Sequence, residues 1–174
     1  DLNNTPAEFI DLELHWDANA LFGITDVAPA DVEITVTNAD GDILADAAGP
    51  IEVASSDAWS ANDEESSRIL SAFVRPNDPG LRPILDDAAK RLKNIDGNTG
   101  LSGYQNGTHV VAMVQAIYEA VQALEITYSN PPASWDIPGQ RVRSTQVILE
   151  ERVGTCLDTA VLFAALLENI GLYP

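Results

Sequence analysis

The chain has 174 residues, with 27 Asp and Glu against 9 Lys and Arg, and a formal net charge of -18. A chain this acidic repels phosphate backbones and anionic membrane surfaces, which argues against nucleic acid and membranes as direct partners. Its composition, 45% hydrophobic and 21% charged, is typical of a folded protein, because disordered chains combine high net charge with low hydrophobicity. The length allows one domain or two small ones.

The negative charge is concentrated at the N-terminal end. Residues 1–67 carry 16 acidic and no basic residues, whereas residues 68–174 carry 11 acidic and 9 basic ones. Such a break in composition usually marks two structural units, and we predict two domains, residues 1–60 and 61–174. The argument against direct nucleic-acid binding therefore holds for the N-terminal third and is weak for the rest.

The N-terminal third is predicted to consist of short antiparallel strands. Apolar residues alternate from Val32 to Val36, and the sequence NADGD at 38–42 predicts a hairpin turn, since Asp-Gly supplies the positive φ angles of tight turns. A return strand begins at Ile43, and Gly49-Pro50 is expected to end it before another short strand at 51–53.

An earlier strand is suggested by the spacing of Phe9, Leu12 and Leu14, while residues 20–30 are expected to be loop and short strand. Several short strands separated by turns indicate an antiparallel sandwich of immunoglobulin type. Such a sandwich takes about 100 residues, so we expect this one to be partial.

The remainder is predicted to be mainly helical, because its apolar residues recur at spacings of three and four. A short strand is expected at ITYSN, and Ser144 is expected to cap a short helix, TQVILEE. In the third helix the residues assigned to the buried face are Val110, Val111, Val114, Ile117, Tyr118, Val121 and Leu124. The longer helices are predicted from Asn62 to Phe73, Pro79 to Asn94, Thr108 to Leu124 and Cys156 to Asn169.

Cys156 is the only cysteine and opens the last of these helices. A thiolate at a helix N-terminus is stabilised by the helix dipole and by backbone N–H groups that have no helical partner. The same groups can hold the oxyanion that forms when a thiolate attacks a carbonyl, and Gly154 allows a substrate to approach closely. Free cysteines are also among the most buried residues, so a packing role for Cys156 stays open.

The single cysteine excludes an internal disulfide and fits a reducing, cytoplasmic compartment. No apolar run approaches the roughly 20 residues that cross a bilayer. The sequence contains no metal-binding cluster, phosphate loop or dinucleotide fingerprint, and we expect no cofactor.

The stretch from Gly139 to Pro174 resembles the cysteine-bearing half of the transglutaminase-like (papain-related) superfamily. The resemblance lies in Gly-Thr-Cys at the start of an Ala- and Leu-rich helix that ends in Gly-Leu-Tyr-Pro. The chain looks most like a bacterial subgroup found near the N-terminus of very large DNA-helicase-related proteins. The resemblance to this subgroup covers nearly the whole chain. The other segments that match this subgroup are Pro50–Trp59, Phe73–Pro79, Gly103–Gln105, Pro131–Trp135 and Pro138–Arg143.

This resemblance implies an α+β fold, in which a partial immunoglobulin-like β-sandwich precedes the mainly helical N-terminal half of a transglutaminase-like domain. It makes Cys156 the nucleophile, with a His on the following strand as base and an Asp or Asn that orients it. Neither His15 nor His109 matches that position, and we expect both to be surface or packing residues. The chain is then a fragment that ends before the family's His, inactive on amides by itself.

Other residues near Cys156 have two interpretations each. Gln140 could donate to the oxyanion or only complete a turn, and Trp135 could line a cleft or pin the proline-rich loop to the core. Arg141 and Arg143 could bind an anionic ligand or partner, or could form ion pairs. The acids expected as their ion-pair partners are Asp136, Glu150 and Glu151.

Asp158 has opposing effects at the start of the cysteine helix. Its negative charge stabilises the helix dipole but competes with a thiolate for the same end. This residue slightly weakens the prediction that Cys156 is a nucleophile.

Three classes of function are consistent with these features. The first is a cysteine hydrolase or acyl transferase that acts on peptide or amide bonds. The second is a non-catalytic module that binds a protein partner or other domains of the parent chain. In the third, the acidic sandwich mimics nucleic-acid charge and regulates the parent's motor.

Overall fold

The computed structural model describes residues 17–60, 68–104, 107–131 and 139–173, and combines helices with strands. The chain divides into two compact units, Asp1–Ser56 and Asp57–Pro174. The predictions that involve residues 1–16, residues 61–67 and Trp135 lie outside the described residues. In the part of the chain that the structure describes, no helix is long and apolar enough to cross a membrane.

The first unit contains a short helix and a hairpin. Helix α1, Ala18–Phe22, lies partly where the sequence predicted loop and short strand. The Asp17 carboxylate caps the first N–H groups of this helix. Strands β1, Ala28–Thr37, and β2, Ile43–Val53, pair antiparallel. The predicted turn between them is confirmed: Asn38 Oδ1 accepts the backbone N–H of Asp40 at 3.0 Å and of Asp42 at 2.8 Å.

The predicted break at Gly49-Pro50 is wrong, because β2 runs without interruption from Ile43 to Val53. Proline lacks an N–H group and is tolerated in a strand only where that position needs no donor, as at a sheet edge. Among the described strands, the sheet that contains β2 has only β1 as its other strand. There β2 is an edge strand, which accommodates Pro50.

The hairpin has two chemically different faces, since side chains alternate along each strand and the register fixes their neighbours. No apolar side chain among residues 17–56 is buried. The described strands of this unit form one two-stranded sheet, and the immunoglobulin-like sandwich stays a prediction. One face carries the acids Asp31, Glu33, Asp46 and Glu52, and the other carries Ala28, Ala30, Val32, Ile34, Val36, Ala45, Ala47, Gly49, Ile51 and Val53.

The described part of the second unit is built from helices and two pairs of short strands, and the helices predicted after Pro79 are confirmed. Strand β3 (Ala58–Trp59) pairs antiparallel with β5 (Gln140–Arg141), and β4 (Thr127–Tyr128) pairs parallel with β6 (Val153–Gly154). Because β3 belongs to this unit, the unit begins before the predicted boundary at 60/61. The elements are β3 (Ala58–Trp59), 3-10 turns at Leu70–Phe73 and Pro79–Leu81, α2 (Arg82–Asp96), α3 (Gly107–Gln122), β4 (Thr127–Tyr128), β5 (Gln140–Arg141), α4 (Thr145–Glu151), β6 (Val153–Gly154) and α5 (Cys156–Asn169).

The core of this unit lies between α2, α3 and α5. The spacing of Ile84, Ala88 and Leu92 places them on one face of α2, and all three are buried. Ser144 caps α4 as predicted, since its hydroxyl accepts the Val147 N–H. The buried residues of α3 and α5 in the same core are Ala112, Met113, Ala116, Ile117, Ala120, Val121, Leu162, Ala165 and Leu166.

The buried face predicted for α3 is partly wrong. Val111, Val114 and Tyr118 are 66%, 41% and 56% exposed. The helix buries instead a stripe that includes the alanines at 112, 116 and 120, since small side chains let helices pack closely. The Tyr118 ring stacks on Phe163 of α5, with centroids 6.2 Å apart.

Helices α3 and α5 run in opposite directions. Just before α3, the Gly103 N–H donates to the carbonyl of Ile170, which follows α5. Just after α3, the Leu124 carbonyl accepts from Arg152 Nη1 at 3.3 Å. The end of α3 therefore lies towards the start of α5, where Cys156 is found.

Candidate cysteine site at the start of α5

Cys156 is the first residue of α5 and its side chain is exposed. Strand β6 ends two residues earlier, at Gly154, so the paired strand leads directly into the helix. The packing role that the sequence left open is therefore wrong, because a packing cysteine would be buried.

The start of α5 is held by a reciprocal cap. The Thr155 hydroxyl accepts the Asp158 N–H at 3.2 Å, and the Asp158 carboxylate accepts the Thr155 N–H at 2.8 Å. This is a capping box with Asp in place of the usual Glu or Gln. Among the described residues, none accepts from the N–H groups of Cys156 and Leu157, so both remain available at the positive end of the helix dipole.

Asp158 joins this cap to the segment that precedes α4. It is 0% exposed, and its Oδ1 accepts the backbone N–H of Arg143 at 2.7 Å. Its Oδ2 accepts from Arg143 Nη1 at 2.9 Å. A buried carboxylate is tolerated only when charged and hydrogen-bonding partners compensate for lost hydration, and here Arg143 and Thr155 provide both.

Gln140 contacts the same cap from β5. Its side chain is 5% exposed, and its Nε2 donates to Thr155 Oγ1 at 2.7 Å. Gln140 is the first residue of β5 and pairs with Trp59. Gln140 thus contacts Thr155, the residue that immediately precedes Cys156.

Gly139 fixes the approach of β5 to β3. Its φ is +85°, and an added Cβ would lie 2.9 Å from the Trp59 carbonyl oxygen. Gly154 is different, since a Cβ there would meet Asp158 and Ile126 side-chain atoms at an ordinary 3.5 Å. Gly154 is buried, and the space beside it is filled by the chain's own side chains.

The two arginines of the Gln140–Arg143 segment have different partners. Arg141 is exposed and binds Asp57, with Nη2 2.6 Å and Nε 2.8 Å from Oδ2. Arg143 binds Asp158, and its Nε lies 4.0 Å from Glu151, one of the predicted acids. Asp136 lies outside the described residues. The sequence missed Asp57 and Asp158 as partners because only the fold brings them close.

His109 is a packing histidine at the other end of α3, as expected. It is 5% exposed, its Nδ1 lies 2.7 Å from Asp96 Oδ2, and its Nε2 lies 3.1 Å from the Gly100 carbonyl oxygen. Both partners are acceptors, so both ring nitrogens donate only in the protonated imidazolium. Because the start of α3 lies beside the end of α5, His109 does not serve Cys156.

The His109–Asp96 pair predicts a pH-dependent stability. Hydrogen bonds to the Asp96 carboxylate and then to the Gly100 carbonyl raise the pKa of His109 above 6.5. The hydrogen bond with His109, followed by one from the Asn98 N–H, lowers the pKa of Asp96 below 3.8. The stabilisation from this pair is then fully present between pH 3.8 and pH 6.5, the ordinary pKa values of the two groups. It is lost as pH rises through the raised pKa of His109 or falls through the lowered pKa of Asp96.

We expect His109→Gln to lower the free energy of unfolding more at about pH 5 than at about pH 9, by this linkage. Urea denaturation of both proteins at each pH measures the difference. Asp96→Asn serves as a matched variant and should show the same dependence. A loss of stability that is equal at both pH values would contradict the ion pair.

The residues that gather around the candidate site are Cys156, Thr155, Asp158, Gln140 and Arg143. Sequence reasoning singled out all of these except Thr155, which the Thr-x-x-Asp spacing could have identified as a cap. No described group of three or more His, Cys, Asp and Glu side chains is arranged to hold a metal ion. Comparison of the chain with protein-family models, curated proteins and solved structures gave no match.

Proposed function

We propose that Cys156 is the nucleophile of a transglutaminase-like cysteine hydrolase or acyl-transferase module that acts on peptide or amide bonds. The observation that supports this most is an exposed thiol at the first position of a helix that contributes to the core and whose cap is held by buried polar side chains. The proposal includes a parent that is a large bacterial helicase-related protein of the cytoplasm. Its other domains, or a protein partner, are then the neighbours of this chain.

The chemistry of this proposal uses groups that the structure brings together. The Cys156 thiolate would attack the acyl carbon and form an S–C bond while the carbonyl becomes an oxyanion. The N–H groups of Cys156 and Leu157 can stabilise that oxyanion. An amide nitrogen carries two N–H groups, so the bond from Gln140 to Thr155 leaves a second one for the same charge. In this proposal Gln140 both holds the cap of α5 and donates to the oxyanion.

Completion of the cycle requires a proton donor for the leaving amine and a base for the next step. Among the residues that the structure describes, the one histidine is His109, whose ring nitrogens contact Asp96 and Gly100. We therefore propose that this chain by itself forms an acyl-thioester only with substrates whose leaving group needs no proton. Amide turnover would require a base from outside the described residues.

An activated ester such as p-nitrophenyl acetate tests this proposal, because p-nitrophenolate leaves without protonation. We expect release of about one equivalent per chain in a burst, followed by slow hydrolysis of the thioester. The burst should be faster than the reaction of free cysteine at the same pH, and a p-nitroanilide should not be turned over.

The matched control is Cys156→Ser, which preserves the shape of the side chain and should abolish the burst. Mass spectrometry of the quenched protein should show one acetyl group on Cys156. A burst of equal size in Cys156→Ser, or a wild-type rate no higher than that of free cysteine, would contradict the proposal.

A second candidate function is a non-catalytic interaction module. The observation that favours it is the exposed apolar row on α3, formed by Val111, Val114 and Tyr118. Single exposed apolar residues are ordinary, but a row on one helix is typical of contact surfaces. The two candidates differ in one result, since Cys156→Ser would leave such a module's binding to its partner unchanged and would abolish acyl transfer.

A further inference from the structure

The acid closest in sequence to Cys156 carries a charge that opposes a thiolate. Asp158 follows Cys156 by two residues and is buried in the first turn of α5. A carboxylate in this turn uses the favourable end of the helix dipole and repels a second negative charge nearby. Its effect is strengthened by burial, because water screens a buried charge poorly.

Arg143 supplies the compensating charge from a different segment. It lies between β5 and α4, and it contacts Asp158 with both its backbone N–H, at 2.7 Å, and its guanidinium, at 2.9 Å. The backbone bond does not involve the Arg143 side chain, so we expect it to persist when that side chain is replaced. The guanidinium therefore controls the charge at this site separately from the backbone geometry.

We infer that Asp158 and Arg143 are positioning residues for Cys156: the carboxylate fixes the helix cap, and the guanidinium cancels the repulsion that this carboxylate would exert on the thiolate. This inference rests on the proposed role of Cys156 as nucleophile. It assigns to Arg143 an electrostatic function in place of the ligand-binding one that its sequence position suggested. It also makes Asp158 compatible with a reactive cysteine.

Alkylation by iodoacetamide tests the inference, because this reagent is uncharged and its rate follows the thiolate form of Cys156. Arg143→Gln leaves the Asp158 charge uncompensated and should lower the second-order rate constant at neutral pH by roughly three- to tenfold. Asp158→Asn leaves the Arg143 charge uncompensated and should raise it by a similar factor. In the double variant the rate should return close to that of the wild type.

The opposite signs separate charge from structure. A purely structural role predicts that both single variants change the rate in the same direction, and that the double variant differs from the wild type at least as much as either one. Either result would overturn the inference. Circular dichroism and the thermal midpoint of each variant establish that the rates compared belong to folded protein.

Two further variants keep the test decisive if Asp158→Asn is poorly folded. Arg143→Lys preserves the positive charge and should react at nearly the wild-type rate, so a rate as low as that of Arg143→Gln would overturn the inference. Arg91→Gln is the matched control. Arg91 binds Asp87 within α2 at 2.7 Å, and its removal should leave alkylation unchanged.

The outcomes for the proposed function and for this inference are distinguishable. Absence of an ester burst in the wild type would reject Cys156 as an acyl-transfer nucleophile. Equal directions of change in Arg143→Gln and Asp158→Asn would reject the role of the charge pair, whether or not the wild-type burst is observed.

Discussion

Replacement of Asp158 by alanine is expected to lower the free energy of unfolding by about 2–4 kcal/mol, which is somewhat less than the loss of a partner from a fully buried ion pair. The variant removes the acceptor of the Thr155 N–H and of two Arg143 donors. It leaves the guanidinium without its closest countercharge in a partly buried position, and the start of α5 loses half of its capping box.

Urea denaturation measures this loss, and Asp87→Ala is its matched control. Asp87 also pairs with an arginine at 2.7 Å, but its side chain is 42% exposed. An exposed pair contributes at most about 1 kcal/mol. If both alanine variants lost the same stability, the buried network around Asp158 would not have the energetic importance that its geometry indicates.

The second large effect is expected for Gly139→Ala. A Cβ at this position would lie 2.9 Å from the Trp59 carbonyl oxygen at a φ of +85°. The unfavourable φ costs about 1 kcal/mol and the steric overlap adds about 1–3 kcal/mol. Because Gln140 follows directly, displacement of β5 would also move the amide that donates to Thr155.

Gly154→Ala is the control for this prediction. Gly154 lies much nearer to Cys156 in sequence than Gly139 does, yet a Cβ added there would meet its neighbours at an ordinary 3.5 Å. We expect a change in the free energy of unfolding within about 1 kcal/mol. Thermal or urea denaturation of both variants gives the comparison, and a larger loss in Gly154→Ala than in Gly139→Ala would show that the described approach of β5 to β3 is wrong.

The sequence predicted the elements whose signals are local. The Asn-Ala-Asp-Gly-Asp turn predicted the hairpin, and the bounds of α5 were predicted from its apolar content. Gly49-Pro50 did not end strand β2, because the missing N–H group of proline is tolerated where the outer edge of a strand needs no hydrogen-bond donor.

The orientation of α3 could not be predicted in the same way. Val111, Val114 and Tyr118 and the alanine stripe both recur at helical spacings, so periodicity does not decide which of the two faces is buried. Close packing against α2 favours the small residues. The prediction from hydrophobicity alone placed the larger side chains, Val111, Val114 and Tyr118, on the buried face.

The members of the candidate site were predictable one by one, but their contacts were not. Cys156 and Asp158 belong to one helical turn, whereas Gln140 and Arg143 precede helix α4 in the chain. Only the packing of β5 beside the start of α5 places the amide at Thr155 and the guanidinium at Asp158. Such contacts depend on tertiary structure, for which sequence spacing contains no direct signal.

The pairing of β3 with β5 has a practical meaning for dividing this protein. A C-terminal piece that starts at residue 61, as charge counting suggested, would lack the strand partner of Gln140 and the carboxylate that binds Arg141. Such a piece would keep Cys156 and all of α5 but lose part of the support beneath them. A piece that starts at Asp57, by contrast, preserves the whole compact unit.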